Sequence, residues 1–243
     1  MKTVVAIHQP NFFPWLGYFD KLARADVFVI LDHVQFPKTK GNWGNRVQLL
    51  VGGSPHWTTL PIRRDYHGVR SYDAMLIAED KPWRRDLMQT LHANYARAAA
   101  FHEVVSLLEP LVNRPIENLA RYNLAAIGEI ARWIGVDPGK IVLSSSLSVG
   151  GQATEMLIDL VRAVGGTAYL CGGGSGGYLE PEKFAEAGIG LLEQGFRHPV
   201  YQQVRAAAFV PGLSCIDALM NCGPEQVSTW FARGPGDRCE RAA

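Results

Sequence analysis

Residues 3–36 read TVVAIHQPNFFPWLGYFDKLARADVFVILDHVQF, and this stretch decides the fold class. Two apolar runs, at 3–8 and 27–36, flank a short helical pattern at 17–25. A strand, a compact crossover and a second strand are typical of a βαβ unit, whose strands lie parallel in one sheet. A short crossover normally connects adjacent strands, so the sequence predicts that strands 3–8 and 27–32 are direct neighbours.

A second β-rich region follows. The runs RVQLLV (46–51) and HWTTLPI (56–62) are separated by GGSP, four residues that favour turns. The sequence therefore predicts a β-hairpin inserted near residues 46–62.

The rest of the chain alternates between helical and strand-like patterns. Strands that alternate with helices favour a mostly parallel sheet flanked by helices, and we therefore predict an α/β fold. Helical periodicity covers 82–98, 101–110, 117–134 and 154–164, a further helical stripe contains Ile216, Leu219 and Met220, and β-rich runs occupy 74–78, 141–147 and 167–171.

The composition is that of a folded chain without a strongly charged face. Of 243 residues, 47% are hydrophobic and 19% are charged, which suffices for one sizeable core. We expect a single domain over 1–232 and a flexible tail at 233–243. The net charge is +1, and Lys and Arg are spread along the chain, so we expect no nucleic-acid partner and favour a small-molecule or carrier-protein-bound substrate.

Three further properties follow from the residue pattern. No apolar stretch reaches the roughly 20 residues that span a bilayer, so we expect no membrane partner and a cytoplasmic location. The four cysteines lack the spacing of a metal site or a disulfide framework, so we expect free thiols and no metal. The sequence identifies neither a cofactor nor an oligomeric state.

Polar and aromatic residues gather around the ends of the first two predicted strands. Ligands of open α/β sheets bind at the carboxyl ends of strands, where His8 and Asp32 both fall. We infer that His8 is a catalytic base oriented by Asp32, because an imidazole exchanges protons near neutral pH. The alternative is a hydrogen-bonded structural histidine. The cluster consists of His8, Gln9, Asn11, Trp15, Tyr18, Lys21, Asp32, Gln35, Lys38, Asn42, Asn45 and Arg46.

A glycine-rich stretch, YLCGGGSGGYLEPEKF (169–184), forms a second cluster. Gly172, Gly174 and Gly177 satisfy the spacing of a dinucleotide-binding fingerprint, but no long helix follows and Glu193 comes too early. A Walker A loop is excluded as well, because the required lysine is missing. The stretch is compatible with a backbone cradle for an anion or with a plain mobile loop, and we expect it to border the cleft of the first-strand histidine.

Cys171 precedes this stretch and is a candidate nucleophile with His198 or His8 as its base, although a buried packing residue is the alternative. Ser145 lies in a row of serines that would hold a phosphate or cap a helix. The catalytic candidates are thus His8, Asp32 and Cys171. The predicted substrate-binding residues are Gln9, Asn11, Trp15, Tyr18, Lys38, Asn42, Asn45, Arg46, Ser145, Gly172, Gly174 and His198.

At these residues the sequence resembles the WbqC-like family. The resemblance implies a role in surface-polysaccharide or natural-product biosynthesis, in building or modifying an amino sugar or a small amide. It leads us to expect Ser at the position of Cys171, so this chain has either acquired thiol chemistry or kept a side chain of similar volume. The resemblance spans residues 3–232 and rests on IHQPNFFPWLGYFDKLARADVFVILDHVQF with NWGNR after it, on NY (94–95), on SSSL (144–147), on YLCGGGSGGYLEPEKFAEAGI and on FVPGLSCIDALMNCG.

A more distant likeness is to the nucleotidyltransferase-type α/β fold. In that fold a His-x-Gly-His motif follows a strand, whereas this chain has Trp15 and Tyr18 in place of both histidines. The likeness supports the fold prediction and counts against nucleotidyl transfer, since function belongs to the site.

These inferences lead to two functional hypotheses. The first is a transferase or ligase that joins an acyl or aminoacyl group to an amine on a sugar or carrier-bound intermediate. In it His8 is the base, Asp32 orients it, and Asn42 with Arg46 holds an anion. The second is a non-catalytic protein that binds a nucleotide-sugar or a carrier-protein arm in the same cleft.

Overall fold

Five of seven strands form one parallel sheet in the computed structural model, which describes residues 2–37, 43–173 and 179–231. The strands are β1 (Val4–His8), β2 (Val27–Ile30), β3 (Arg46–Val51), β4 (Ser54–Thr59), β5 (Ile141–Leu143), β6 (Ala168–Cys171) and β7 (Gly190–Glu193). The order in the sheet is β5-β2-β1-β6-β7, and every neighbouring pair is parallel. β1 pairs with β2 from Val5 and Val27 to His8 and Ile30, which confirms the predicted neighbours.

Helices flank this sheet, as predicted for an α/β fold. α1 joins β1 to β2, and α5 and α6 lie on either side of β6 in the chain. None of the helices within the described ranges is long and apolar enough to cross a membrane. The helices are α1 (Leu16–Arg24), α2 (Trp83–Tyr95), α3 (Phe101–Val112), α4 (Leu119–Trp133), α5 (Ala153–Ala163), α6 (Pro181–Glu186) and α7 (Cys215–Thr229).

Successive residues of the strands supply two cores, one on each face of the sheet. Val5 packs with Leu157 and Phe184 of α5 and α6, whereas Ala6 belongs to the larger cluster formed with α1, α2, α3, α4 and α7. This division follows from the period of two in a strand, and burial on both faces explains why the strands are apolar throughout.

The predicted hairpin is confirmed as a separate antiparallel pair, β3 with β4. Its turn needs two residues with positive φ, and Gly52 and Gly53 supply them at 59° and 85°. Gly53 is also close to a neighbouring segment, since a Cβ there would lie 2.6 Å from the main-chain oxygen of Arg205.

Three strand boundaries differ from the prediction. Residues 74–78 were predicted as a strand but form two isolated β-bridges. Ile77 pairs with Ile62 and Leu76 pairs with Asn118, so neither partner segment pairs with the whole run. β2 and β5 both end earlier than predicted, and the serines after Leu143 form a 3-10 turn instead of extending the strand. The sequence analysis missed β7, whose four residues are too few to show a clear alternation.

Candidate functional site

A cavity of about 850 Å³ lies at the carboxyl ends of β1, β2, β6 and β7. Each strand contributes the residues at or after its end, which is where open α/β sheets bind ligands. The described residues that line it are Ile7, His8, Gln9, Trp15, Gly17, Tyr18, Lys21, Leu31, Val34, Gln35, Trp43, Ala153, Met156, Leu157, Tyr169, Gly172, Gly173, Gln194, Gly195, Phe196 and His198.

α1 carries two of the polar side chains in the wall. Tyr18 and Lys21 are three residues apart, so they share one face of the helix. The hydroxyl of Tyr18 donates to the main-chain oxygen of Gln9 at 3.1 Å, which fastens the helix to the segment after β1. Gln194 fastens the other side, because its Nε2 donates to the main-chain oxygen of Gly17 at 2.6 Å.

His8 ends β1 and lies among aromatic rings. Its ring centroid is 4.8 Å from that of Tyr18 and 5.5 Å from that of Trp15. The Nδ1 atom is buried and has no hydrogen-bond partner among the described residues. Burial and the positive charge of Lys21 lower the pKa of His8 to about 3, against a smaller opposing effect of the Gln9 main chain, so the imidazole is neutral near pH 7.

Lys21 is a buried cation in the same wall. The residue is 5% exposed, and its Nζ donates to the main-chain oxygen of Ile7 at 3.2 Å. Nζ also lies 5.7 Å from the centroid of the Tyr169 ring. Burial lowers the pKa of Lys21 to about 8, although the nearby Cys171 acts in the opposite direction.

Asp32 is hydrogen-bonded to two serines that follow β5, and not to His8 as predicted. Its carboxylate accepts hydrogen bonds from Ser144 Oγ at 2.9 Å, from Ser145 N at 2.9 Å and from Ser145 Oγ at 2.6 Å. Asp32 is not one of the described residues that line the cavity. Asp32 follows β2 and Ser145 follows β5, so these hydrogen bonds connect the ends of two neighbouring strands.

The glycine-rich stretch reaches the cavity in part, whereas Cys171 is not one of the described residues that line it. Gly172 and Gly173 line it together with His8, whereas Gly174 lies outside the described residues. The Cys171 thiol is buried and donates to the main-chain oxygen of Leu192 at 3.3 Å.

The predicted binding residues beyond the glycine-rich stretch separate into three groups. Gln9, Trp15, Tyr18 and His198 line the cavity, and burial lowers the pKa of the His198 imidazole. Asn11, Asn45 and Arg46 do not line it. Lys38, Asn42 and the predicted tail at 233–243 lie outside the described residues.

The second group still has defined surroundings. Asn45 Nδ2 donates to the main-chain oxygen of Leu60 at 2.9 Å, and Asn11 Nδ2 is buried without a partner in the described ranges. The Arg46 guanidinium lies 3.9 Å from the centroid of the Trp57 ring. Three tryptophans form a row between Arg46 and the cavity. The ring centroids of Trp57 and Trp43 are 5.1 Å apart, and those of Trp43 and Trp15 are also 5.1 Å apart.

The model of the WbqC-like protein family matches residues 9–229. The chain belongs to this family. The chain is also 29% identical over 228 residues to the uncharacterized protein Rv1507c of Mycobacterium tuberculosis, an alignment that covers 91% of this chain and 94% of that protein. No solved structure matches the chain.

The family match covers nearly the whole cavity of this WbqC-like chain. Every lining residue from Gln9 to His198 falls within 9–229, while Ile7 and His8 come just before it. The described residues contain no group of three or more His, Cys, Asp or Glu that could hold a metal ion.

Sequence reasoning missed part of the wall of this WbqC-like site. Lys21 was in the polar cluster but received no role, because nothing in a sequence shows that a lysine on a helix is buried. Trp43 stands in the NWGNR motif, which was a usable signal. Gln194 and Phe196 follow β7, so they could not be placed without that strand.

Proposed function

We propose that the chain is an enzyme that joins an acyl or aminoacyl group to an amine on a sugar or carrier-bound intermediate. The observation that carries this proposal is the neutral imidazole of His8, whose buried Nδ1 has no partner among the described residues at the wall of an aromatic cavity. Buried polar atoms are nearly always hydrogen-bonded in folded proteins, so a group left over in a cavity calls for a functional explanation.

The chemistry assigned to the site is a proton transfer coupled to acyl transfer. The amine nitrogen attacks the carbonyl carbon of an activated acyl donor, a thioester or an acyl phosphate, and the new C–N bond forms. The amine proton passes to the His8 imidazole, and the bond to the thiolate or phosphate leaving group breaks with its electron pair. His8 then returns the proton to the leaving group or to solvent.

The test separates turnover from binding. We expect His8→Ala to lower turnover of acyl thioesters with amino-sugar acceptors by about 10²- to 10⁴-fold, the usual contribution of a proton-transfer group. Trp15 and Trp43 line the cavity, so their fluorescence reports binding of the same compounds. Binding should persist, because the imidazole is one of many groups in the wall.

His67→Ala is the matched control, since His67 is exposed and is not a cavity residue. Turnover that survives in the His8 variant at the level of this control would contradict the proposed chemistry.

A second candidate is a non-catalytic protein that binds a nucleotide-sugar or a carrier-protein arm. One observation favours it: Asp32, the expected orienting carboxylate, bonds to Ser144 and Ser145, and the pKa of His8 near 3 makes the imidazole a weak base. The aromatic wall also suits a ligand with a ring. For this candidate, His8→Ala changes only the affinity.

A further inference from the structure

Lys21 is a buried ammonium without a carboxylate partner among the described residues. Among the described residues its Nζ has one hydrogen-bond acceptor, the main-chain oxygen of Ile7, and Lys21 is 5% exposed. The adjacent Asp20 is directed elsewhere, since its carboxylate accepts from Arg24 Nε and Gln194 Nε2.

The side chains around Lys21 that the structure describes carry no carboxylate either. His8 lies on β1, Tyr18 on the same helix, and Tyr169 and Cys171 on β6. A buried charge is unfavourable unless it is paired, and a carbonyl oxygen supplies a partial charge only. An anion that enters the cavity would pair with the Lys21 ammonium and offset the cost of burying its charge.

We propose that the substrate of this cavity carries an anionic group, a carboxylate or a phosphate, and that Lys21 Nζ pairs with it beside His8. The inference rests on the proposed function in one respect, that the cavity is the substrate site. It identifies the chemical class of the ligand and holds for a catalytic or a binding protein alike.

Pairing at Lys21 also changes His8. The positive charge of Lys21 is one of the two causes that lower the pKa of His8, after burial. An anion against Nζ compensates this charge, so the pKa of His8 rises and the imidazole becomes a better proton acceptor. The anion of the substrate therefore prepares the base that acts on it.

The first experiment follows the Lys21 side chain in the intact protein. The ¹³Cε resonance of Lys21 is titrated with pH alone, with sodium sulfate, with sodium acetate, and with acetamide as the uncharged counterpart of acetate. Without an anion the midpoint is expected near 8. A bound anion should raise it by about one pH unit or more, the usual effect of an opposite charge in contact.

Lys140 is the matched control for this titration. Its Nζ also donates to a main-chain oxygen at 3.2 Å, that of Ala23, but the residue does not line the cavity. Its resonance should not respond to either anion. A response of Lys21 to acetate alone indicates a carboxylate, and a response to sulfate alone indicates a phosphate-like group.

A variant gives an independent measurement. Lys21→Met has a similar volume and no charge, so it should raise Tm in anion-free buffer and abolish the Tm increase that sulfate or acetate causes. Lys140→Met should keep that increase.

The proposal is overturned if neither anion moves the Lys21 titration, if acetamide moves it equally, or if Lys21→Met keeps the anion response. No turnover is measured in either experiment. Anion binding at Lys21 with an active His8→Ala variant would leave this inference standing and remove the proposed proton transfer.

Discussion

Gly17 on α1 has no room for a side chain. A Cβ there would lie 2.7 Å from Trp15 Nε1 and 2.9 Å from Phe196 Cδ1, and both rings belong to the cavity wall. In an open helix Gly→Ala stabilises by about 1 kcal/mol. Here the overpacking costs about 1–3 kcal/mol, so we expect Gly17→Ala to lower stability and to weaken binding to the cavity.

Urea denaturation and tryptophan fluorescence measure these two effects. Gly150→Ala is the control, because a Cβ at Gly150 meets nothing within 4 Å. If Gly17→Ala matched the control in stability and in the emission spectrum, the close packing of Trp15 and Phe196 against the helix would be refuted.

The sequence predicts that Asp32 orients His8, whereas its hydrogen bonds indicate a structural role. Three hydrogen bonds from Ser144 and Ser145 end on its carboxylate. Hydrogen bonds to a charged group contribute about 1.5–3 kcal/mol, so we expect Asp32→Asn to lower the free energy of unfolding by an amount of this order. The titration of His8, followed by its ¹H resonances, should stay unchanged.

Ser145→Ala is a matched variant, since it removes the Oγ donor to Asp32 and leaves the carboxylate in place. We expect a smaller loss of stability from it. A shift of the His8 titration in Asp32→Asn would instead restore Asp32 as the partner that orients the imidazole.

At the scale of elements, Asp217 joins α7 to α2 and to the segment before α7. Its Oδ2 accepts from Tyr95 on α2 at 2.9 Å, and its Oδ1 accepts from Tyr201 at 2.8 Å and from Gln203 at 2.9 Å. Burial nevertheless raises the pKa of the Asp217 carboxyl above its usual range. The segment that Asp217 holds begins at the cavity, where His198 lies.

A raised pKa in the folded state fixes the direction in which stability changes with pH. Below the unfolded pKa of about 3.9 the carboxyl is protonated in both states, and its stabilising contribution is complete. This contribution is lost as the pH rises through the folded pKa. We therefore expect the stability of the protein relative to Asp217→Asn to fall as the pH rises from about 4, by about 1.4 kcal/mol for each unit of the shift.

Urea denaturation of both proteins between pH 4 and 8 gives this difference directly. Asp159→Asn is the control, because Asp159 is exposed on α5. A difference between the protein and Asp217→Asn that is independent of pH would show that the buried carboxyl titrates in the same way in both states.

The elements themselves were readable from the sequence where a local pattern decides them. The apolar run of β1, the crossover through α1 and the turn at Gly52 and Gly53 are local signals, and each was confirmed. β7 was missed because this edge strand of four residues, Gly190–Glu193, has only two apolar residues in a row and no clear strand pattern. The contact of Lys21 with Tyr169 and the hydrogen bond of Asp32 with Ser144 join residues more than 100 positions apart and could not be predicted.

At the scale of the whole molecule, one apolar cluster connects the two ends of the described chain. Ala6 on β1 and Phe231 after α7 belong to it, together with Leu50 of the hairpin. α7 packs against α3, α4 and β3, so the last helix covers elements from the middle of the chain. The smaller cluster, with Val5 and Leu157, shares the strands of the same sheet.

We therefore predict that the whole chain unfolds in one cooperative transition. Loss of α7 exposes the large cluster, and loss of the sheet removes the backbone that both clusters share, so neither side is stable alone. Tryptophan emission reports the layer of the large cluster, which includes Trp83 and against which Trp43, Trp133 and Trp230 pack, while far-UV circular dichroism reports the helices on both faces of the sheet. The two signals should give the same midpoint and the same slope in urea. Two separated midpoints would show that the sheet with α5 and α6 folds independently of the helical layer around α7. The wall of the cavity includes residues of both α1 and α5, so the cavity would then open at the lower of the two midpoints.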